Sequence, residues 1–135
     1  MRLTDHPEVA IFPEKRFALA QPRGHVDGPL VELYGRAMAY HPDWQPGFTE
    51  VWDVTLSAAI DLLPRDIARL KEPEIETLEH LAGSATLVIM DRPLVRVALD
   101  LYAHLVRPLG RIIVPVASHE EACKTLGIRE IPLLT

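Results

Sequence analysis

The stretch His41-Pro42-Asp43-Trp44-Gln45-Pro46-Gly47, running into Phe48-Thr49-Glu50-Val51-Trp52-Asp53-Val54-Thr55, constrains the fold more than any other part of the chain. It reads as a helix stop, a turn rich in proline and glycine, then a strand. Pro42 pushes the residue before it out of the helical region, and Pro46-Gly47 marks a turn. The aromatic and β-branched run that follows suits a strand. A helix handing the chain to a strand in this way is the seam of a βαβ unit, and the seam recurs twice downstream. The order of elements therefore predicts an α/β fold.

Ahead of this seam, Val9-Ala10-Ile11-Phe12 and Phe17-Ala18-Leu19-Ala20 are short apolar runs joined by Pro13-Glu14-Lys15-Arg16, which predicts a β-hairpin. Gly28-Pro29 then opens a helix, because proline is tolerated in a first turn. Leu30, Leu33, Tyr34, Ala37, Met38 and His41 follow at helical spacing. After the strand Phe48 to Thr55, Leu56 to Leu63 reads as a loop with room for a short extended piece. Pro64 starts a helix carrying Ile67 and Leu70, and Pro73 breaks it into a second set of turns ending at Gly83.

The run Ala85 to Met90 is apolar but for Thr86, as in a parallel strand buried on both faces. Asp91-Arg92-Pro93 is expected to cap a long helix through Val106. Its polar stripe is Arg96, Asp100, His104 and Arg107, with Leu94, Val97, Leu101 and Leu105 on the apolar face. Arg111 to Ala117 is the last strand, and Pro115 within it favours an edge position. Ser118-His119-Glu120-Glu121 has the form of a capping box. Its helix ends at Gly127, leaving residues 128–135 as a tail. Three strand-then-helix units after a hairpin predict one mainly parallel sheet with right-handed crossovers and helices packed on it.

Composition limits what such a fold can do. A net charge of −5, with 14 Lys and Arg spread along the chain, offers no phosphate-binding surface and argues against nucleic acid. The run Ala85 to Met90, even with Thr86 counted, falls far short of the roughly 20 residues of a membrane helix, so no membrane insertion is expected. One cysteine, Cys123, cannot form an internal disulfide. With Met1 to Pro7 lacking the apolar core of a leader, this suggests a cytoplasmic protein. No dinucleotide fingerprint, phosphate loop or nucleophile elbow is present, so no cofactor is indicated. His119 and Cys123 stand four apart, but two such residues fall short of a metal site.

The segments His41-Pro42-Asp43-Trp44, Gly47, Trp52-Asp53-Val54 and Ser118-His119-Glu120-Glu121-Ala122 with Leu126 resemble the SpoIIAA-like, STAS-related family of small bacterial α/β domains. The resemblance spans Val9 to Gly127. It implies a single domain over 1–135 with a mainly parallel βα superhelix behind an N-terminal hairpin. It also implies two kinds of work, protein binding as in anti-sigma-factor antagonists, or the holding of an apolar ligand as in lipid carriers. The switching antagonists carry a phosphorylatable serine at a helix start after the central strand. The comparable stretch here, Ile60-Asp61-Leu62-Leu63-Pro64, has no hydroxyl, which argues against a phosphoserine switch.

Ligands of open α/β sheets gather at the carboxyl ends of the strands. That edge is expected to hold Asp53, Thr55, Asp91, Arg92, Ser118 and His119, the candidate ligand- or partner-binding residues. The bland readings are that Asp91 and Ser118 cap helices and that Asp53 holds loop amides. Trp52 reads as core, and Trp44 as core or as an exposed anchor.

The leading expectation is a non-enzymatic regulatory module acting through protein contacts, with the carboxyl-edge loops and the helix from Pro64 to Lys71 as the surface. An apolar small-molecule or lipid-binding domain is the alternative, since the helix after Asp91 is apolar on more than one face. An enzyme using Asp53, Asp91 and His119 is a third reading, and it requires the three to converge. A homodimer through Leu99, Tyr102 and Val106 is also expected.

Overall fold

A computed structural model describes residues 8–134. The chain runs β1 (Val9–Phe12), β2 (Phe17–Ala20), β3 (Gly24–Val26), α1 (Gly28–Ala39), β4 (Thr49–Asp53), β5 (Ser57–Ile60), α2 (Pro64–Arg69) and α3 (Lys71–Glu76). It continues through β6 (Ala85–Ile89), α4 (Pro93–Val106), a 3-10 turn at Arg107–Leu109, β7 (Ile112–Val116) and α5 (His119–Leu126). The reading of Met1 to Pro7 lies outside the described residues.

The hairpin forms as expected, with Val9 opposite Ala20 and Phe12 opposite Phe17. Its turn closes through the amide of Lys15 on the carbonyl of Phe12, and Arg16 takes a φ of 60°. The main sheet has the order β1-β2-β4-β6-β7, and every pairing after the hairpin is parallel. β7 lies at the edge, where Pro115 needs no partner for a missing amide.

Alternation along the strands splits the core in two. Ala18, Ala20, Trp52 and Val88 face one way and pack with Met38 of α1 and with Val95 and Leu99 of α4. Phe17, Leu19, Val51, Leu87 and Ile89 face the other way, beneath Ala122 and Leu126 of α5. Burying each of these large apolar side chains is worth about 1.5–3 kcal/mol. α2 and α3 fit between α1 and α4 on the first face.

The structure departs from the sequence reading in several places. First, the short extended piece allowed for within Leu56 to Leu63 forms and belongs to a second sheet. Ser57–Ile60 is strand β5, paired in parallel with an unforeseen β3 in a separate two-stranded ladder. Second, Asp91 does not cap α4. Pro93 takes the first helical position, so the residue before it, Arg92, becomes the N-cap in extended conformation and contributes no side-chain bond.

Third, α4 is rotated from expectation. Leu94, Val97 and Leu101 are exposed, while Val95, Leu99, Tyr102 and Val106 turn inward. Fourth, this burial removes Leu99, Tyr102 and Val106 as dimer-interface candidates, Val106 being 1% exposed. A helix apolar nearly all round cannot choose its buried face by periodicity alone. Fifth, residues 128–134 are no loose tail, since Ile128, Ile131 and Leu134 cover the second core beside α5. Trp44 is buried, with its indole N–H on the carbonyl of His80 at 2.7 Å and its ring edge-on to Phe48, so it is core rather than an anchor.

Candidate functional site

The carboxyl edge of the sheet brings together half of the expected residues. Asp53 ends β4 fully buried. Its Oδ1 accepts from the amide and hydroxyl of Thr55 at 3.1 and 2.6 Å. Its Oδ2 accepts from Gln21 Nε2 at 3.2 Å and meets His119 Nε2 at 2.9 Å. A carboxylate offers about four acceptor positions, so Asp53 has none left for a substrate.

Gln21, unforeseen, carries the knot onward. Its Nε2 also donates to the carbonyl of Pro132, and its Oε1 accepts the amide of Leu134, both at 2.7 Å. Asp53 therefore joins the ends of β2 and β4, the first residue of α5, and the C-terminal segment.

The other three candidates lie apart from this knot. Ser118 caps α5, accepting the amide of Glu121 at 3.1 Å. Glu121 reaches back to the amide of Ala117, one residue earlier than a capping box requires. Arg92 donates to the carbonyl of Ser57 and so ties the start of α4 to β5. Asp91 is exposed and bonds neither Asp53 nor His119. The triad of Asp53, Asp91 and His119 does not form. Among the described residues, no group of three or more His, Cys, Asp or Glu is placed to hold a metal ion. No helix among them is long and apolar enough to cross a membrane.

A second site lies on the opposite face of the sheet, between it and the helices. A cavity of about 130 Å³ is lined mainly by apolar side chains, among them Trp52, Ile67, Leu70, Val88 and Leu99. Glu32, Gly35 and Arg36 line it from α1. Into this surface the sheet projects Glu50, only 4% exposed. Its Oε1 accepts from the Trp52 indole at 2.6 Å and from the Thr86 hydroxyl at 3.4 Å. Burial pushes the Glu50 carboxyl above its ordinary range, an effect that the charge of nearby Arg111 opposes.

The rest of the buried polar network is paired. Arg111 Nε meets Glu74 Oε2 at 3.0 Å, and Arg111 also donates to the carbonyl of Ser84 and to the Thr86 hydroxyl. Tyr102 donates its hydroxyl to Glu74 and is raised well above its ordinary pKa, first by burial and then by that carboxylate. Sequence reading passed over Glu50, Glu74 and Arg111. A usable signal existed for Glu50: it alternates with Trp52 along a central strand, so both side chains must share one covered face.

No family model matches the chain, and no curated protein matches it. Among solved structures it is similar to the anti-sigma factor antagonist SpoIIAA in its unphosphorylated form, at 17% identity and a TM-score of 0.51. The similarity covers 90% of this chain and 97% of that one. The SpoIIAA-like, STAS-related α/β fold implied by the sequence is thus the fold of this chain.

Proposed function

We propose that this protein is a non-enzymatic regulatory module that works by contacting another protein, without a phosphoserine switch. The observation that carries this reading is the row Leu94, Val97 and Leu101 on α4, with Leu94 83% and Val97 66% exposed. Spacings of three and four align these side chains on one helix face. Contiguous exposed apolar surface of this kind favours a protein contact. α4 also packs against α2, the helix expected to meet a partner.

The class of action is drawn by analogy from a similar fold that serves as an anti-sigma factor antagonist. The hydroxyls nearest the start of α2 are engaged: Ser57 is buried and donates to the carbonyl of Pro22, and Thr55 donates to Asp53. A second copy of this chain can also meet the α4 row as a twofold pair.

Crosslinking in the protein's own cell extract tests the reading, comparing the natural chain with a Val97→Glu, Leu101→Lys double variant. A specific protein should be captured by the natural chain and lost with the variant, whose circular dichroism stays unchanged. Equal capture by both, or turnover of a metabolite by the purified protein, overturns it.

The cavity favours a second reading, that the domain holds a small apolar ligand. An engineered apolar cavity of about 150 Å³ admits benzene, and the space here approaches that size. Native mass spectrometry of the purified protein should then show a retained small molecule.

A further inference from the structure

We infer that the cavity is a binding site for a small, uncharged, mostly apolar molecule bearing one hydroxyl group, of about the size of phenol, which hydrogen-bonds the Oε2 atom of Glu50. This rests on the apolar-ligand reading above.

Three observations lead to it. The first is an unused polar atom. Both hydrogen bonds of Glu50 fall on Oε1, while Oε2 makes none with the described residues. The described residues hold no fully enclosed side-chain oxygen or nitrogen without a partner. Oε2 is therefore open to the cavity that Glu50 lines. A polar atom at an apolar wall costs free energy unless something hydrogen-bonds to it.

The second observation is charge. Arg111 is already engaged by Glu74 at 3.0 Å and by two further acceptors, so Glu50 has no cation of its own. Burial pushes its carboxyl towards the neutral form. A hydroxyl suits either state, because it accepts from a protonated carboxyl and donates to an ionised one. An ammonium group would have to shed its hydration as well, adding a second desolvation cost.

The third is size. A volume of about 130 Å³ accommodates a single six-membered ring with one substituent. The other polar side chains of the lining are already engaged: Arg36 with Glu76 and Glu32, Thr77 with the carbonyl of Pro73, Glu74 with Tyr102 and Arg111, and Thr86 with Arg111. Oε2 of Glu50 at the sheet wall is therefore the open contact towards which such a ring turns its hydroxyl.

The indole proton of Trp52 reports on the site directly, because it is bonded to Oε1 of the same carboxyl. The Trp44 indole, bonded to His80, serves as the internal control. Phenol, toluene and benzylammonium are titrated into the nitrogen-15-labelled protein and followed at both indole resonances. Transfer from water alone favours toluene over phenol, so a preference for phenol requires a buried polar partner.

Phenol should shift the Trp52 signal, leave that of Trp44 in place, and bind about fivefold or more tighter than toluene. Glu50→Leu should abolish the preference, and Glu50→Gln should retain it. Toluene binding the natural protein as well as phenol overturns the Glu50 contact and leaves the apolar-ligand reading standing. Failure of both to move Trp52 overturns the apolar-ligand reading itself. Benzylammonium binding more tightly than phenol overturns the uncharged class. The three probes act on the natural chain, so the test does not depend on a variant folding.

Discussion

Nε2 of His119 lies 2.9 Å from Oδ2 of Asp53, and the two side chains differ sharply in setting: that of Asp53 is fully buried, that of His119 half in solvent. A buried carboxylate with four donors around it is a fastening for the surrounding segments. Asp53→Ala should cost about 3 kcal/mol, because it strands the donors of Thr55 and Gln21 in the interior. His119→Ala should cost about 1 kcal/mol or less, since its ring is screened by water. Urea denaturation measures both. In the Asp53 variant, limited proteolysis should also reach residues 128–134 sooner, since Gln21 links them to this carboxylate.

Glu50 makes stability fall with rising pH. Burial raises its carboxyl in the folded state above its unfolded value of about 4.3. Below that value both states are protonated and the residue has no effect on pH dependence. As pH rises from there towards the folded value, the unfolded chain loses the proton first, and folding becomes progressively less favourable. Above the folded value the penalty is constant. Glu50→Gln should remove it, so the variant's stability relative to the natural protein should climb from about pH 4.3 upward. Denaturation series at several pH values measure this difference; a flat difference contradicts it.

Arg111 and Glu74 form a buried pair, 4% and 9% exposed. Arg111→Met should cost about 3–5 kcal/mol by leaving Glu74 as an unpaired buried charge. Changing Glu74→Gln in the same chain should recover much of that loss, because the amide still accepts from Tyr102 and carries no charge. A double variant as unstable as the single would contradict the charge account.

Gly35 lies within α1, and a Cβ built there meets nothing within 4 Å. Gly35→Ala should therefore raise stability by about 0.5–1 kcal/mol, through reduced freedom of the unfolded chain and better helix propensity. Thermal unfolding detects it as a higher midpoint.

Self-association through α4 is checked by light scattering at micromolar concentration. The natural protein should run above its 15.1 kDa chain mass and Val97→Glu should return it to that mass. A mass of 15.1 kDa for the natural chain, unchanged on concentration, excludes the twofold pair.

Local signals in the sequence determined the order of the elements. Pro13 to Arg16 set the hairpin turn, Pro29 and Pro64 the helix starts, Ser118 and Gly127 the ends of α5, and Pro115 the edge strand. Each acts within a few residues, by fixing a dihedral, removing a donor or capping an amide. Which side of α4 is buried was open, because Leu94, Val97 and Leu101 are as apolar as Val95, Leu99 and Val106. Only packing against the sheet and α2, with Tyr102 reaching Glu74, decided it. The two polar clusters were likewise decided by tertiary structure. Asp53 meets His119 across 66 positions of chain, and Arg111 meets Glu74 across 37. Such contacts leave no periodicity in the sequence, because they follow from the register of parallel strands whose crossovers bring distant residues to one face.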